Sequence, residues 1–434
     1  MRFNYGKIFL LGFGFFGISI IWGLYNSYVP VFLAEKFHLS VVWISFFMTL
    51  DNIAALLIQP PVGAWSDRLR TRIGRRMPFI LIGAPLGAVA FGFIPTASIL
   101  PLFVACTSTL LLSMAFWRTP VIALMPDITP SQFRSQANGI INLMGGLGFI
   151  VATLVGASLY ELNHSYPFWM GSALVILAGL LVFAFIREPK DYSPVEKVPN
   201  IWQSFLEVVR APDKSALRIL LAIFFWFLGY TAIEALFTLY GINHLGISES
   251  NGSRLMGNLS FLFVLFAIPA GIIGSRFGRR RTIILGITLL SLVLLAIYIL
   301  PPAILIKPLF PLPMLGIVPA VDARAMLVVI GTLMMVGGIG WSLININSLP
   351  MVVDMTGSAR LGTFTGLYYL FSTLSAIAGP NLFGWIVSKT HNNYNSMMIV
   401  APVFMVIAIM MMVGVRRGEA AQPEVEKKVG LYPR

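Results

Sequence analysis

Two carboxylates and one guanidinium lie inside long apolar stretches of this sequence. They are Asp51, Arg118 and Glu234. A charge at mid-bilayer costs about 2.5–3.5 kcal/mol on insertion scales, so each is a candidate for function. A structural ion pair is the alternative explanation. Because one arginine neutralises only one carboxylate, the other needs a proton or a metal cation, and this predicts ion coupling at Asp51 or Glu234.

Polar and aromatic side chains recur at helical spacing in the same stretches. Asn52 and Gln59 are seven residues apart and share a face beside Asp51, and Tyr230 lies one turn before Glu234. Hydroxyl and amide groups beside aromatic faces suit a sugar ring, while interhelical hydrogen bonds worth about 0.6 kcal/mol explain them equally well. The candidate substrate-binding residues are Tyr25, Asn26, Asn52, Gln59, Arg118, Asn142, Tyr230, Glu234, Trp341, Asn345, Asn347 and Tyr369.

Twelve apolar runs must position these residues. Of the 434 residues, 57% are apolar and 11% are charged, against about 25% charged in soluble domains. A helical crossing of the bilayer needs roughly 20 apolar residues. The runs lie near 7–33, 42–65, 77–97, 100–126, 139–160, 166–186, 216–243, 255–274, 282–303, 325–350, 364–388 and 396–415. This pattern predicts an all-α integral membrane protein with twelve transmembrane helices, and it excludes a soluble enzyme.

The basic residues indicate the orientation of these helices. The net charge is +13, and 24 Lys and Arg fall in segments on the side of the N-terminus, against five on the other side. The positive-inside rule therefore predicts that both termini are cytoplasmic. Because this positive charge faces anionic lipid, we expect no nucleic-acid partner. We expect a multi-pass, monomeric protein of the cytoplasmic (inner) cell membrane.

The two halves of the chain share loop motifs. The segment from Gly63 to Arg76 is echoed by Gly271 to Arg281, with Ser275 in place of Asp67. Such repeats predict two six-helix bundles with a substrate site at their interface. The predicted parts are an N-terminal bundle (1–186), a cytoplasmic central loop (187–215), a C-terminal bundle (216–415) and a cytoplasmic tail (416–434). The candidate gating residues are Gly63, Asp67, Arg68, Gly74, Arg75, Arg76, Asp127 and Asp354.

The loop from Gly63 to Arg76 resembles the signature of the major facilitator superfamily, with an insertion. Its longer form, from Ser66 to Pro78, resembles sucrose transporters and the related glycoside–cation symporters, as do Gln59–Gly63 and Ala123–Asp127. The resemblance implies the major facilitator fold of two pseudo-symmetric six-helix bundles, transport by alternating access and a sugar as substrate.

The coupling sites of those relatives do not transfer to this sequence. Plant-type sucrose transporters carry an arginine and an aspartate where this chain has Ile122 and Leu111. Melibiose-type symporters carry two aspartates where it has Ala55 and Gln59. We favour Asp51 as the protonatable site because its helix flanks the expected cavity in a drier setting, and Glu234 as the substrate-side carboxylate.

The expected function is cation-coupled uptake of a disaccharide or other glycoside. The coupling ion is a proton, with sodium as the alternative, and no other cofactor is expected. Metal-ligand spacings, a serine–histidine triad and a phosphate-binding loop are absent as credible motifs, so we expect neither an enzyme nor a metal site. An exporter of amphipathic or drug-like compounds and a non-transporting receptor are the alternatives, because fold does not fix function.

Overall fold

Twelve helices in the computed structural model are long and apolar enough to cross a membrane. The structure describes residues 5–129, 134–188, 201–306, 328–356 and 361–419, and the regular structure within these ranges is helical. The spans are α1 (Tyr5–Lys36), α2 (Val41–Arg68), α3 (Met77–Thr96), α4 (Leu100–Met125), α5 (Ala137–Leu162), α6 (Tyr166–Phe185), α7 (Ser215–Leu245), α8 (Glu249–Phe277), α9 (Arg279–Ile299), α10 (Val329–Val353), α11 (Thr363–Lys389) and α12 (Ser396–Val413).

Each predicted apolar run coincides with one of these helices, and the ends differ for local reasons. The helix of α8 begins at Glu249 instead of 255, because the Ser248 hydroxyl caps it by accepting a hydrogen bond from the N–H of Asn251. The helix of α9 ends at Ile299 instead of 303. Pro301 and Pro302 follow, and proline lacks the N–H group that a continuing helix needs.

The helices form two bundles of six with the same internal packing. In the first bundle α1 packs on α5 and α6, and α3 packs on α4 and α6. In the second bundle α7 packs on α11 and α12, and α9 packs on α10 and α12. The repeat seen in the loop motifs therefore extends to the helix packing, and the all-helical, two-bundle architecture is confirmed.

The two bundles touch each other on one side of the membrane. We call the side on which α1 begins and α12 ends the tail side, and the opposite side the far side. Among the described residues, the hydrogen bonds that join the bundles lie in the far-side half. Ser253 donates to Ser27 over 3.0 Å, and Asn381 donates to Thr49 over 3.1 Å. The molecule is closed on its far side.

The two bundles are in contact from the far side to about the middle of the membrane, where α5 packs against α8. A Cβ atom added to Gly146 would lie 2.2 Å from Val264. Nearer the tail side, Asn142 on α5 and Tyr369 on α11 are exposed. The space between the bundles is therefore open toward the tail side.

A short amphipathic helix, Ile201–Arg210, lies within the segment predicted as a central loop. Phe205 packs its ring 5.8 Å from that of Phe371 on α11, and Val208 is buried. Beyond it, the backbone N–H and the hydroxyl of Ser215 donate to Asp213, and these hydrogen bonds hold the pKa of that carboxyl below its usual value. The connection between the bundles is thus fastened to the C-terminal bundle.

Candidate functional site

Asp51 lies where α2 is interrupted inside the membrane. The helix breaks at Met48 and Thr49 and resumes at Leu50, which puts Asp51 in a first helical turn. Its carboxylate lies near the backbone N–H groups of Asp51 and Asn52, and Asn52 Nδ2 donates to Oδ1 over 2.8 Å. A helix N-terminus favours a negative charge by about 0.3–1 kcal/mol. The break therefore places the carboxylate at a helix N-terminus, a position that a continuous helix would not provide.

Arg118 and Glu234 both lie within electrostatic range of Asp51. Arg118 comes from α4 and Glu234 from α7, on the other bundle. Glu234 also lies near the side chain of Asn26 of α1. Within the described ranges, none of the three makes an ion pair within 4.0 Å. The site thus has two carboxylates, one guanidinium and no direct salt bridge, with all three side chains partly accessible.

An aromatic stack adjoins Glu234. The Tyr230 ring lies parallel to the Trp341 indole at 3.6 Å between centroids and 3° between planes. Phe227 meets the same indole edge-on at 5.3 Å. Because Trp341 is buried and Tyr230 is half-buried, the stack joins α7 to α10 and presents part of the Tyr230 ring toward the polar centre.

Tyr25 on α1 is buried beside the same centre. It is 1% exposed, and its hydroxyl has no hydrogen-bond partner in the described part of the chain. Trp22 packs edge-on against it at 5.7 Å, and Asp51 lies within electrostatic range. An unpaired buried hydroxyl costs about 1–3 kcal/mol, so this donor is available to a bound molecule or to a rearranged Asp51.

The remaining predicted binding residues lie at different depths. Tyr369, 56% exposed, lies on the tail side of the centre within electrostatic range of Arg118. Asn142 is exposed and donates to the Asn138 carbonyl over 2.8 Å. Gln59 and Asn345 are half-buried. Their roles in binding stay predictions.

Asn347 is not brought into this cluster. It is 3% exposed, and its Nδ2 donates to the carbonyls of Ala270 and Leu343 over 3.0 Å each. Its side chain also fills the space above Gly274, where a Cβ atom would lie 1.7 Å from Oδ1. Asn347 therefore makes an interhelical hydrogen bond between α10 and α8.

The predicted gating residues form an ionic network on the tail side of the first bundle. Arg75 pairs with Asp127 at 2.6 Å. Arg76 pairs with Asp127 at 3.1 Å and with Asp67, and also donates to Ser66. The network ties the tail-side ends of α2, α3 and α4 together. Arg68 is exposed and, within the described ranges, takes no part in it.

Glu188 completes this network and was not predicted from the sequence. Its carboxylate accepts hydrogen bonds from the N–H groups of Arg75, Arg76 and Met77 at 2.8–2.9 Å, at the start of α3. Gly74 makes room for it: its φ is +119°, and a Cβ atom there would lie 2.4 Å from Oε1 of Glu188. The carboxylate therefore stabilises the N-terminus of α3 and fixes the turn before it.

The second bundle repeats this arrangement. Arg279 pairs with Asp354, and Glu419 accepts from the N–H groups of Arg279 at 2.6 Å and Arg280 at 3.2 Å. Gly278, with φ +95°, takes the place of Gly74. A sequence signal for both acids existed, because each follows the last helix of its bundle within about six residues, with an arginine one or two positions before it. The ion pairs of each network that join described residues lie within one bundle.

The described residues contain no cluster of three or more His, Cys, Asp or Glu side chains that could hold a metal ion. The groups described at the site are charges, amides, hydroxyls and aromatic faces from the two bundles.

Two repeated six-helix bundles that enclose a charged centre within the membrane define a membrane transporter. A sequence profile described as "Major Facilitator Superfamily" matches residues 11–334 and 259–433. The chain belongs to the Major Facilitator Superfamily. It is a transporter with twelve spans and not an enzyme, and members of this family generally need no cofactor.

Relatives of known function are distant and of two kinds. Multidrug resistance protein 1 of Bacillus subtilis is 28% identical over 234 residues, which is 53% of this chain and 57% of that protein. Sucrose transport protein SUC3 of Arabidopsis thaliana is 26% identical over 192 residues, 39% of this chain and 32% of that protein. The tetracycline resistance protein, class E, of Escherichia coli is 23% identical over 360 residues, 80% and 79% of the two chains. The first two alignments cover less than two thirds of each relative.

Solved structures share the fold over nearly the whole chain. The nucleoside transporter NupG (D323A mutant) superposes with a TM-score of 0.72 at 15% identity, covering 94% of this chain and all of that one. A bacterial homologue of the human lysosomal transporter Spinster, in an inward-facing and occupied conformation, superposes with a TM-score of 0.71 at 14% identity, covering 95% and 97%. At these identities the likeness establishes the fold alone.

Proposed function

We propose that this transporter couples uptake of a sugar, a disaccharide or other glycoside, to a proton gradient by alternating access. In this proposal it works as a monomer in the cell membrane, and its tail side is cytoplasmic. The 24 basic residues on that side support the orientation. The central cavity, open toward the tail side, then faces the cytoplasm.

One observation carries the coupling proposal: two carboxylates share a membrane site with a single arginine. Asp51 lies within electrostatic range of both Arg118 and Glu234. With all groups ionised the cluster carries one excess negative charge, which is costly inside the membrane. A proton bound from one side and released on the other removes that cost while the bundles rock.

The contacts favour Glu234 as the proton carrier, which reverses the assignment preferred from the sequence. Three groups already stabilise the negative charge of Asp51: Arg118, the Asn52 amide and the helix N-terminus. Glu234 has the Asn26 side chain and a repulsive neighbour in Asp51. The carboxylate whose negative charge has fewer stabilising partners gains more free energy when it binds a proton. Asp51 then orients Arg118 toward the substrate.

A sugar substrate is supported by the mixture of groups at the centre. Arg118, Asn26, Asn52 and Tyr25 offer donors and acceptors to hydroxyl groups, and the Tyr230 ring offers a face for C–H groups. The relative of Arabidopsis thaliana named a sucrose transport protein supports the same class.

Export of an amphipathic compound is the second candidate, on the same coupling chemistry. It is supported by the likeness to multidrug and tetracycline resistance proteins, the latter over most of the chain. A non-transporting receptor has less support, because neither Asp51 nor Glu234 is locked in a salt bridge to a described residue.

Substrate-induced thermal stabilisation distinguishes these functions. The purified protein is heated with a panel of mono- and disaccharides and with a panel of amphipathic cationic and aromatic compounds, each at two pH values and with and without sodium. Stabilisation by a glycoside that depends on pH and not on sodium supports the proposal. Stabilisation by amphipathic compounds alone would replace sugar uptake by export, and a dependence on sodium alone would replace the proton.

A further inference from the structure

The α2 span consists of two helical segments that pack on different bundles. The far-side segment, Val41–Phe47, packs on α11 of the C-terminal bundle, and the longer segment, Leu50–Arg68, packs mainly on α4 of its own bundle. Gly384 of α11 lies so close to Ser45 that a Cβ atom there would overlap the serine hydroxyl. The break in α2 therefore lies where this helix passes from the surface of one bundle to that of the other.

The backbone hydrogen bonds of α2 are interrupted at this break. The N–H of Thr49 donates to the Phe46 carbonyl over 3.0 Å, and the N–H of Asn52 donates to the Thr49 carbonyl over 3.1 Å. In the part of the chain that the structure describes, the N–H groups of Leu50 and Asp51 between them donate to no backbone carbonyl. In a continuous helix they would bond to the carbonyls four residues earlier. A continuous α2 would therefore remove Asp51 from the first turn of a helix.

Asn381 of α11 binds the side chain that competes with these backbone hydrogen bonds. The Thr49 hydroxyl donates over 2.7 Å to the Phe46 carbonyl, which a continuous helix would offer to the N–H of Leu50. Such local bonds from threonine compete with helix formation. Asn381 Nδ2 donates to the same hydroxyl over 3.1 Å. Because this hydroxyl accepts from α11, its own proton is directed at the Phe46 carbonyl, and Thr49 is 0% exposed, so water does not replace Asn381.

We propose that Asn381 is a positioning residue for Asp51, which keeps α2 broken while the far side is closed and lets α2 become continuous when α11 withdraws. The hydrogen bond from Asn381 to Thr49 joins the two bundles, so it must break when the far side opens. The Phe46 carbonyl is then available to the N–H of Leu50. Asp51 loses its position at a helix N-terminus, which links the separation of the bundles to the stability of a negative charge at the central site. The inference rests on neither the proposed substrate nor the proposed coupling ion.

The backbone amide of Asp51 reports directly on the break. Leu50 and Asp51 form the only Leu–Asp step in the chain, so labelling with carbonyl-¹³C leucine and ¹⁵N aspartate gives one solid-state NMR signal in lipid bilayers. In the broken helix this N–H lacks a backbone acceptor and exchanges with water from the central cavity. We expect Asn381→Leu, which removes the donor at similar volume, to slow this exchange about tenfold and to shift the signal toward that of a helical amide.

Three further variants decide whether Asn381 acts through Thr49. We expect Thr49→Val, which removes the hydroxyl, to slow the exchange to the same degree, and Thr49→Ser, which keeps the hydroxyl, to retain the wild-type signal. Ser253→Ala removes the hydrogen bond to Ser27, elsewhere in the far-side contact, and we expect it to leave the Asp51 amide unchanged. The proposal is overturned if either Asn381→Leu or Thr49→Val leaves the exchange rate at its wild-type value, or if Ser253→Ala slows it equally. Because neither substrate nor an ion gradient is used, a failure of the proposed function leaves this result readable.

Discussion

Two asparagines on α10, two residues apart, illustrate how position decides the role of a side chain. Asn345 is half-buried, whereas Asn347 is buried and donates to a carbonyl of α8. A shift of two residues turns a helical side chain by about 200°, so the two amides point to nearly opposite faces. The sequence predicts both as sugar ligands. The buried hydrogen bonds of Asn347 indicate a structural role for it, and the role of Asn345 stays a prediction.

The two asparagines therefore serve as matched controls for each other. We expect Asn345→Ala to weaken substrate binding and leave thermal stability unchanged. We expect Asn347→Ala to lower the free energy of unfolding by about 0.6–1.7 kcal/mol, the range for hydrogen bonds between membrane helices, and to leave binding intact. Binding measured by calorimetry and unfolding measured by fluorescence separate the two effects. Loss of binding in Asn347→Ala without loss of stability would contradict the placement.

The two central carboxylates also have distinct expected roles. We expect Glu234→Gln to abolish substrate accumulation driven by a pH gradient while exchange across the membrane continues, because the amide mimics a permanently protonated acid. We expect Asp51→Asn to weaken binding at least about tenfold at every pH, because Arg118 loses the charge that orients it. Uptake and counterflow in proteoliposomes measure both properties. The reverse pattern would restore the assignment made from the sequence, and full accumulation in both variants would exclude these residues from coupling.

At the scale of elements, an acidic residue that follows the last helix of each bundle fixes the turn before another helix of that bundle. Glu188 fixes the turn before α3, and Glu419 fixes the turn before α9. Gly74 has φ +119° and leaves no room for a Cβ atom beside Glu188. We expect Gly74→Ala to destabilise the fold by about 1–3 kcal/mol, since it combines backbone strain with a steric clash. Gly139→Ala is the control, because nothing lies within 4 Å of a Cβ atom there. Thermal unfolding of both variants checks this, and equal midpoints would contradict the role of Glu188.

The ionic network beside that turn lies within one bundle, so we expect it to act on movement more than on binding. Asp67→Asn removes one partner of Arg76 and is expected to lower the turnover rate several-fold with little change in substrate affinity. Arg68→Gln is the matched control, because Arg68 lies outside the network. Initial uptake rates and equilibrium binding separate the two quantities. A folded Asp67→Asn protein that no longer binds substrate would contradict the gating role.

At the scale of the whole molecule, the closed far side and the open tail side set the direction in which the central site is accessible. We expect a cysteine at Ser388 to react with a membrane-impermeant reagent in intact cells, and a cysteine at Pro212 to react only after permeabilisation, both with Cys106 changed to serine. The asymmetry of basic residues is the physical reason. Labelling of Pro212→Cys from outside would reverse the orientation.

The sequence by itself determined the number of spans, the two-bundle repeat and the three charges in the membrane. These features depend on composition and on local spacing: twenty apolar residues span a bilayer wherever they occur, and a buried charge is costly in any fold. The loop motifs identified the ionic networks for the same reason, because Arg75 and Asp127 lie at helix ends that any six-helix bundle of this kind brings together.

Only the tertiary structure decided how these residues face one another. Helix rotation and the break in α2 are small backbone changes without a composition signal, yet they separate Asn345 from Asn347 and place Asp51 in a first helical turn. The hydrogen bond from Ser253 to Ser27 joins residues more than 200 positions apart. Such contacts depend on how two bundles dock, and docking is set by the summed packing of many side chains, which no local pattern in the sequence encodes.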